Sequence, residues 1–402
     1  MAGKPRLAVV SPFLDKQHGT ERCVAEQVER LARDYEVHVY STRVKDVDPA
    51  AIVWHRIPAL FGPYLLAYCW WFLANHLWRW WDQHVRGIHF DLIYTPGINC
   101  IDADVIAVHI LFSELHSQVK NEVKLGLNPV SSWPRLVHRR LYYLLIISLE
   151  RFIYRRKRLL LTTVSRKTAS DLQRHGQRNV CAIYHGVNTQ RFNCQVHGQL
   201  RHEIKQLLGI PESAICLLLV GNDWKNKGLP CLLDAVGRVP SGLVRLLVVG
   251  SDDPASYEHL IGRVGLRGRV DFLPLRSDVE AYYAAADVYV SPALEDAFGL
   301  PPLEAMACGI PVIVSSRAGV SEIITDGVDG LILKDPEDVV SLSLMITELA
   351  KEPLWRKMLG ENAARTARRH TWEHNAAELK LIFEQAMQRR SGHQTPAMQE
   401  VP

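Results

Sequence analysis

Between Ser291 and Pro311 the chain gathers residues able to hold a charged, hydroxyl-rich ligand. An acidic loop ends at Gly299 and runs into Pro301 and Pro302. Proline opening a helix is favoured because its missing N–H would have had no partner there. The amides of Gly299 and Leu300, with the positive end of the helix dipole, then form an anion site suited to a diphosphate. Glu304, one turn in, can accept hydrogen bonds from vicinal hydroxyls such as a ribose diol. Asp296, before the helix, can do the same for a sugar. The alternative is an ordinary βα turn with incidental acids, and the density of features argues against it.

Such a loop needs a strand before it and a helix after it, and that unit recurs throughout the chain. Short β-branched runs alternate with longer helical stretches, the mark of parallel βα units. Strands are expected at Leu7–Val10, Glu36–Ser41, Ile52–Ile57, Leu92–Thr95, Val105–His109, Leu159–Val164 and Val180–Tyr184. The pattern fades into a polar, linker-like stretch at 186–210. It resumes at Ile215–Val220, Val244–Val249, Val270–Leu273, Val288–Val290, Val312–Val314 and Leu331–Leu333. Helices fit between, notably Thr20–Arg33, Tyr64–Val85, Leu136–Arg156 and Pro301–Cys308, and Pro353–Arg389 carries a long helical pattern. The expected fold is α/β, with two doubly wound Rossmann-like parallel sheets facing across a cleft. The expected divisions are an N-terminal lobe over 1–195 and a C-terminal lobe over 196–372. A helix over 373–390 should pack back on the N-terminal lobe, followed by a disordered tail over 391–402.

Composition narrows the classes. With 402 residues, 48% of them apolar and 22% charged, the chain has the profile of a folded globular protein, not a disordered or collagen-like one. Its length predicts two domains, at roughly 100–200 residues each. A net charge of +4 is too mild to suggest nucleic acid. The eight cysteines are scattered without a C-x-x-C pair, which reads as core filling in a reducing compartment. No zinc spacing appears among the 17 histidines, and His109 with His116 reads as a chance pair. The N-terminus has no signal-peptide pattern, and the longest apolar run, Tyr64–Ala74, falls short of the ~20 residues a spanning helix needs. A cytoplasmic protein without membrane spans is expected.

The Ser291–Pro311 segment resembles the E-x7-E signature of the retaining family 4 glycosyltransferases, which have the GT-B fold. The resemblance extends to Val220-Gly221…Lys227-Gly228, Val248-Val249-Gly250, Ala285-Ala-Asp-Val-Tyr-Val-Ser-Pro292, Arg317-Ala-Gly-Val-Ser-Glu322 and Asp326-Gly-Val-Asp-Gly330. In the first half it covers His18-Gly19-Thr20-Glu21-Arg22 and His185-Gly186-Val187-Asn188…Arg191-Phe192. Two positions depart from the family pattern. The first acid is Asp296, a shorter arm than Glu, and the Arg often found after the strand-ending Gly is Asn222, with Lys225 and Lys227 following. That pattern is closest to lipopolysaccharide-core glucosyltransferase-like members.

The resemblance implies a hexosyltransferase using a nucleotide-diphosphate sugar and a lipid-linked or cell-envelope glycan acceptor. Lys227, with Lys225 replacing the Arg, would neutralise the donor diphosphate as charge develops on the leaving group. The amide of Gly19 would lie near the same diphosphate, Asn222 would face the donor, Asp296 and the amides of Phe298, Gly299 and Leu300 would hold sugar hydroxyls, and Glu304 the ribose. His109 matches a histidine near the reacting sugar, and Arg22 is a candidate partner for acceptor or phosphate. No cofactor is expected and transfer should be metal-independent, since Asp102-Ala-Asp104 precedes a buried-looking strand. A nucleotide-sugar epimerase of the same fold and a catalytically weak scaffold are the competing readings.

Two segments suggest a surface partner. Residues 64–81 hold five of the ten tryptophans, and 135–158 carry eight Lys/Arg against one acid, Glu150. Trp and Tyr favour membrane interfaces, and basic residues favour anionic lipid. Docking on the inner face of the cytoplasmic membrane is therefore expected, with plain packing on the N-terminal sheet as the alternative.

Overall fold

The computed structural model of the chain describes residues 3–16, 19–114, 133–211, 213–240, 242–276 and 278–391. His18, His116 and the tail from 392 lie outside them. The chain divides into two compact units, Met1–Tyr184 with Asn375–Pro402, and His185–His374.

The first unit contains β1 (Arg6–Val10), β2 (Phe13–Leu14), α1 (Gly19–Leu31), β3 (Glu36–Ser41), β4 (Arg43–Val44), β5 (Val53–Arg56) and α2 (Tyr64–His84). There follow β6 (Leu92–Pro96), β7 (Val105–Val108), α3 (Trp133–Ile153), β8 (Leu160–Thr163), α4 (Arg166–Arg174) and β9 (Val180–Ala182). Seven strands form one parallel sheet in the order β5-β3-β1-β6-β7-β8-β9, with β2 and β4 paired beside it. Leu7 is flanked by Val37 and Leu92. Its strand reads as a continuous apolar run because both faces are covered, as parallel sheets require. Leu7 and Val9 face one cluster with Val24 and Val28 of α1, while Ala8 and Val10 face another with Trp71 and Ala74 of α2.

The second unit contains α5 (Cys194–Leu207), β10 (Ile215–Val220), α6 (Leu229–Arg238), β11 (Val244–Val249), α7 (Glu258–Arg263), β12 (Val270–Leu273) and α8 (Glu280–Ala285). It continues with β13 (Val288–Ser291), α9 (Leu300–Ala307), β14 (Val312–Ser315), β15 (Leu331–Leu333), α10 (Val339–Lys351) and α11 (Pro353–Ala367). The six strands are parallel, ordered β12-β11-β10-β13-β14-β15. In both sheets the order reverses direction once, next to β1 in the first and β10 in the second. Crevices at the carboxyl ends of strands at such a switch point are where ligands bind in this architecture.

The division falls earlier than residue 195, and the stretch that reads as a linker holds α5. Two of its polar residues are ion-paired: Lys205, 1% exposed, donates to Asp287 at 3.0 Å, and Arg201 pairs with the same carboxylate. Charge needed inside the unit mimics the composition of a linker. The long pattern at 353–389 is two helices, α11 and α12 (Trp372–Arg390). Leu379, Ile382, Phe383 and Ala386 of α12 pack into the core beside β1 and β6. Asn375 ties the helix down, accepting from Gln27 at 2.9 Å and donating to the Tyr184 carbonyl at 2.7 Å.

Phe383 meets Tyr35 edge-on and also contacts Tyr94. Phe383→Ala should lower the stability of the first unit by about 3–5 kcal/mol, the usual cost of emptying an aromatic site. Urea unfolding measures it, and an unchanged midpoint would show that α12 contributes nothing to that core.

Candidate active site

Three loops at the carboxyl ends of β10, β11 and β13 are stitched together. Gly228 adopts φ +79° and lies so close to the Pro292 carbonyl that an added Cβ would sit 1.9 Å from its oxygen, so only glycine fits. Asn226 donates its side-chain amide to the Glu295 carbonyl at 2.8 Å, and its own carbonyl accepts from Leu294 at 2.7 Å. Asp252, after β11, accepts from the amides of Asp223 (3.0 Å) and Trp224 (2.7 Å), and Asp223 itself holds φ +57°. Asn222 is part of this stitching, since its carbonyl oxygen accepts from the amide and hydroxyl of Ser251. A position expected to face the donor is therefore occupied in joining two loops.

This frame brings Lys227 and Asp296 together: the ammonium donates to the carboxylate at 2.5 Å, both side chains partly shielded. Lys225 is exposed on the same loop and does not join the pair. The Phe298 amide, expected to be open to a sugar, donates to Asp296 at 3.3 Å, while its ring is buried edge-on against His185. Gly299 has φ +98°, and a Cβ there would reach within 3.4 Å of the Asp296 carboxylate. Leu300, not a proline, opens α9, with Pro301 and Pro302 behind it. First-turn amides lack helical partners, so prolines are tolerated one or two places further in. The prolines carry no N–H, which leaves Gly299 and Leu300 as the amides at this helix start.

Glu304, also on α9, is 3% exposed, and Tyr283 of α8 donates its hydroxyl to it at 2.7 Å. Tyr283 has no counterpart among the sequence-derived candidates. It lies in an Ala-rich helix, where an aromatic reads as core filling, and its partner is 21 positions away.

In the first unit Gly19 opens α1, is exposed, and has nothing within 4 Å of where a Cβ would stand. Arg22 is half-buried on the first turn of the same helix. His109 follows the carboxyl end of β7, and burial of its ring pushes the imidazole down to about 4. Asp102 and Asp104 are engaged internally. Asp102 takes both guanidinium nitrogens of Arg79, and Asp104 accepts from the Ile93 amide and from Arg390.

Residues 18–191 match the family described as Glycosyltransferase Family 4, and residues 201–366 match Glycosyl transferases group 1. The chain belongs to these glycosyltransferases. It is 30% identical over 203 residues to the lipopolysaccharide glucosyltransferase WaaG of Escherichia coli K12, covering 49% of this chain and 54% of that protein. It is 31% identical to the D-inositol 3-phosphate glycosyltransferase of Streptosporangium roseum, covering 50% of this chain and 48% of that one. The matched stretch thus spans about half the length of these curated relatives. The crystal structure of WaaG superposes with a TM-score of 0.74 at 23% identity, over 96% of this chain and 100% of that one. Anabaena HepE in complex with UDP and glucose gives 0.65 at 19%, over 96% and 99%. These likenesses place both units in the GT-B fold class.

The aromatic helix α2 buries three polar residues beside Trp71 and Ala74 and leaves large apolar ones exposed. Asn75, Arg79 and Asp82 are buried, whereas Leu66, Leu73, Leu77, Trp80 and Trp81 are exposed. Tyr64 and Tyr68 pack on Tyr142 of α3, whose exposed residues include Arg135, Arg139, Leu141, Leu144, Arg151 and Phe152. No helix among the described residues is long and apolar enough to cross a membrane.

The depressed His109 value has a definite sign. The unfolded imidazole takes up a proton near pH 6.5 and the folded one only near 4. Its contribution is complete above about pH 6.5 and is lost as the pH falls towards 4. The fall in urea midpoint between pH 7 and 5 should be smaller in His109→Asn than in the native chain, and equal slopes would refute the assignment.

Proposed function

We propose that this chain is a retaining glycosyltransferase that moves a hexose from a nucleotide-diphosphate sugar to a lipid-linked or cell-envelope glycan. The observation that carries this reading is the Lys227–Asp296 pair beside the Gly299 and Leu300 amides, at the switch point of a group 1 glycosyl transferase domain. An ammonium group has three N–H donors, so Lys227 can keep Asp296 and still reach a phosphate oxygen. Its charge, with the two amides and the α9 dipole, stabilises the negative charge that develops as the diphosphate leaves. Asp296 accepts from hydroxyls of the transferred sugar and Glu304 from the ribose. The family resemblance assigns Gly19 to the diphosphate and His109 to the reacting sugar. Arg22 serves acceptor or phosphate.

Retention follows when the acceptor oxygen bonds to the anomeric carbon on the face from which the diphosphate departs. The leaving oxygen keeps the electron pair of the broken bond, and the acceptor proton passes to the departing phosphate. Cationic side chain and amides take the role a divalent ion would otherwise have, and the engagement of Asp102 and Asp104 with Arg79 and Arg390 supports this. A panel of nucleotide sugars should give thermal stabilisation by at least one, lost in Glu304→Ala. Lys227→Ala should lower kcat/KM by about 100-fold or more, the scale for deleting one group that stabilises developing charge. Activity should survive EDTA. Complete loss in EDTA would overturn metal-independence, and stabilisation by no nucleotide sugar would overturn the transferase reading.

The lipid-linked acceptor is supported by α2, which exposes leucines and tryptophans, and by α3, which exposes leucines and arginines. Such a face suits an anionic bilayer, with aromatics at the headgroup level and each nearby basic residue adding about 1 kcal/mol. The protein would then work from the inner face of the cytoplasmic membrane. Co-sedimentation should require anionic vesicles and weaken in high salt, and Trp80→Ser/Trp81→Ser should reduce it. Equal binding to neutral vesicles would count against the electrostatic part.

A further inference from the structure

We infer that Tyr283 is a positioning residue for the donor nucleotide, fixing through its hydroxyl the carboxylate of Glu304 that meets the ribose. This rests on the reading of Glu304 given above. Tyr283 is 0% exposed and Glu304 3%, so the hydrogen bond at 2.7 Å is made away from solvent. The ring cannot swing aside. Phe192 meets it edge-on at 5.6 Å, and Tyr289 stacks against it at 6.5 Å. Tyr289 is in turn held by its own hydroxyl, which donates to the carbonyl of Val220, the last residue of β10. A continuous set of contacts therefore runs from the end of β10 through two tyrosines to Glu304. Burial and the Glu304 charge push the Tyr283 phenol well above its ordinary value, so it remains a donor at every working pH.

The physical consequence is preorganisation. A glutamate has three side-chain torsions, and an unanchored carboxylate would have to be ordered when the ribose arrives. A tyrosine clamped in the core does that ordering in advance, and groups ordered before binding give up less freedom on binding. Tyr283 thus sets discrimination between a ribose and a sugar lacking its hydroxyls without touching the nucleotide.

The test measures affinities of the full chain for UDP, ADP and GDP, each also as its 2′,3′-dideoxy form, by calorimetry. The native chain should bind the preferred ribonucleotide about tenfold more tightly than its dideoxy form, the scale of one hydrogen bond to a charged group. Glu304→Ala should bring that ratio close to one. Tyr283→Phe should move it at least halfway there on a logarithmic scale, with affinity for the dideoxy form unchanged, an outcome that loss of packing alone would not produce. A native ratio in soluble Tyr283→Phe, or an equal loss for both forms, overturns the inference while leaving the Glu304 reading intact. Should the native chain bind none of the three, or Glu304→Ala keep the ratio, that reading fails and the inference with it. Should Tyr283→Phe not fold, Glu304→Ala is compared with Glu304→Ala/Tyr283→Phe, and the carboxylate is absent from both. Equal ratios are expected, and a further change in the double variant overturns action through Glu304.

Discussion

The second unit is organised around a backbone contact with no room for a methyl group. Gly228 meets the Pro292 carbonyl directly, and the loops after β10 and β13 are thereby pinned against each other. Everything proposed for the donor depends on that approach. Lys227 precedes the contact on one loop, and Asp296 follows it on the other. Parallel strands spaced at about 4.8 Å bring the loop starts together, and the side-chain bonds of Asn226, Asp252 and Asn222 hold the loops. An ammonium and a carboxylate, each costly to shield alone, become compatible because each has the other.

Polarity in the first unit is arranged with equal economy. The buried face of α2 carries Asn75, Arg79 and Asp82, which bond to Asn99, Asp102 and Tyr40 inside the unit. Trp71 and Ala74 share that buried face, while Leu66, Leu73, Leu77, Trp80 and Trp81 lie outside. A helix packed on a sheet normally keeps its large apolar residues inward, and α2 departs from that along its exposed face.

The fold could be read largely from periodicity. Runs such as Leu7–Val10 and Ile215–Val220 are apolar without alternation, which in a chain this long points to a sheet covered on both sides. The loop from Asp296 to Glu304 was readable because helix-start chemistry is local: a glycine with φ +98°, a helix turn and acids at fixed offsets. Less was readable where polar residues serve the interior. Lys205 and Arg201 look like linker residues until Asp287, 82 positions beyond Lys205, is found beside them. Asn222 looks like a replacement ligand until Ser251 is found to occupy it.

The positions of the strands along the chain, the glycine-bounded loop and the residue types around it follow from the chain alone, because each depends on neighbours within a few positions. Which charges meet depends on distances across the sheet. Lys227 finds Asp296 across 69 positions and Tyr283 finds Glu304 across 21, while Lys225, two residues from Lys227, is exposed. Adjacent lysines of equal charge acquired different surroundings because a turn ending at Gly228 directs the chain back onto β13. That path is set by packing, and packing has no local signature.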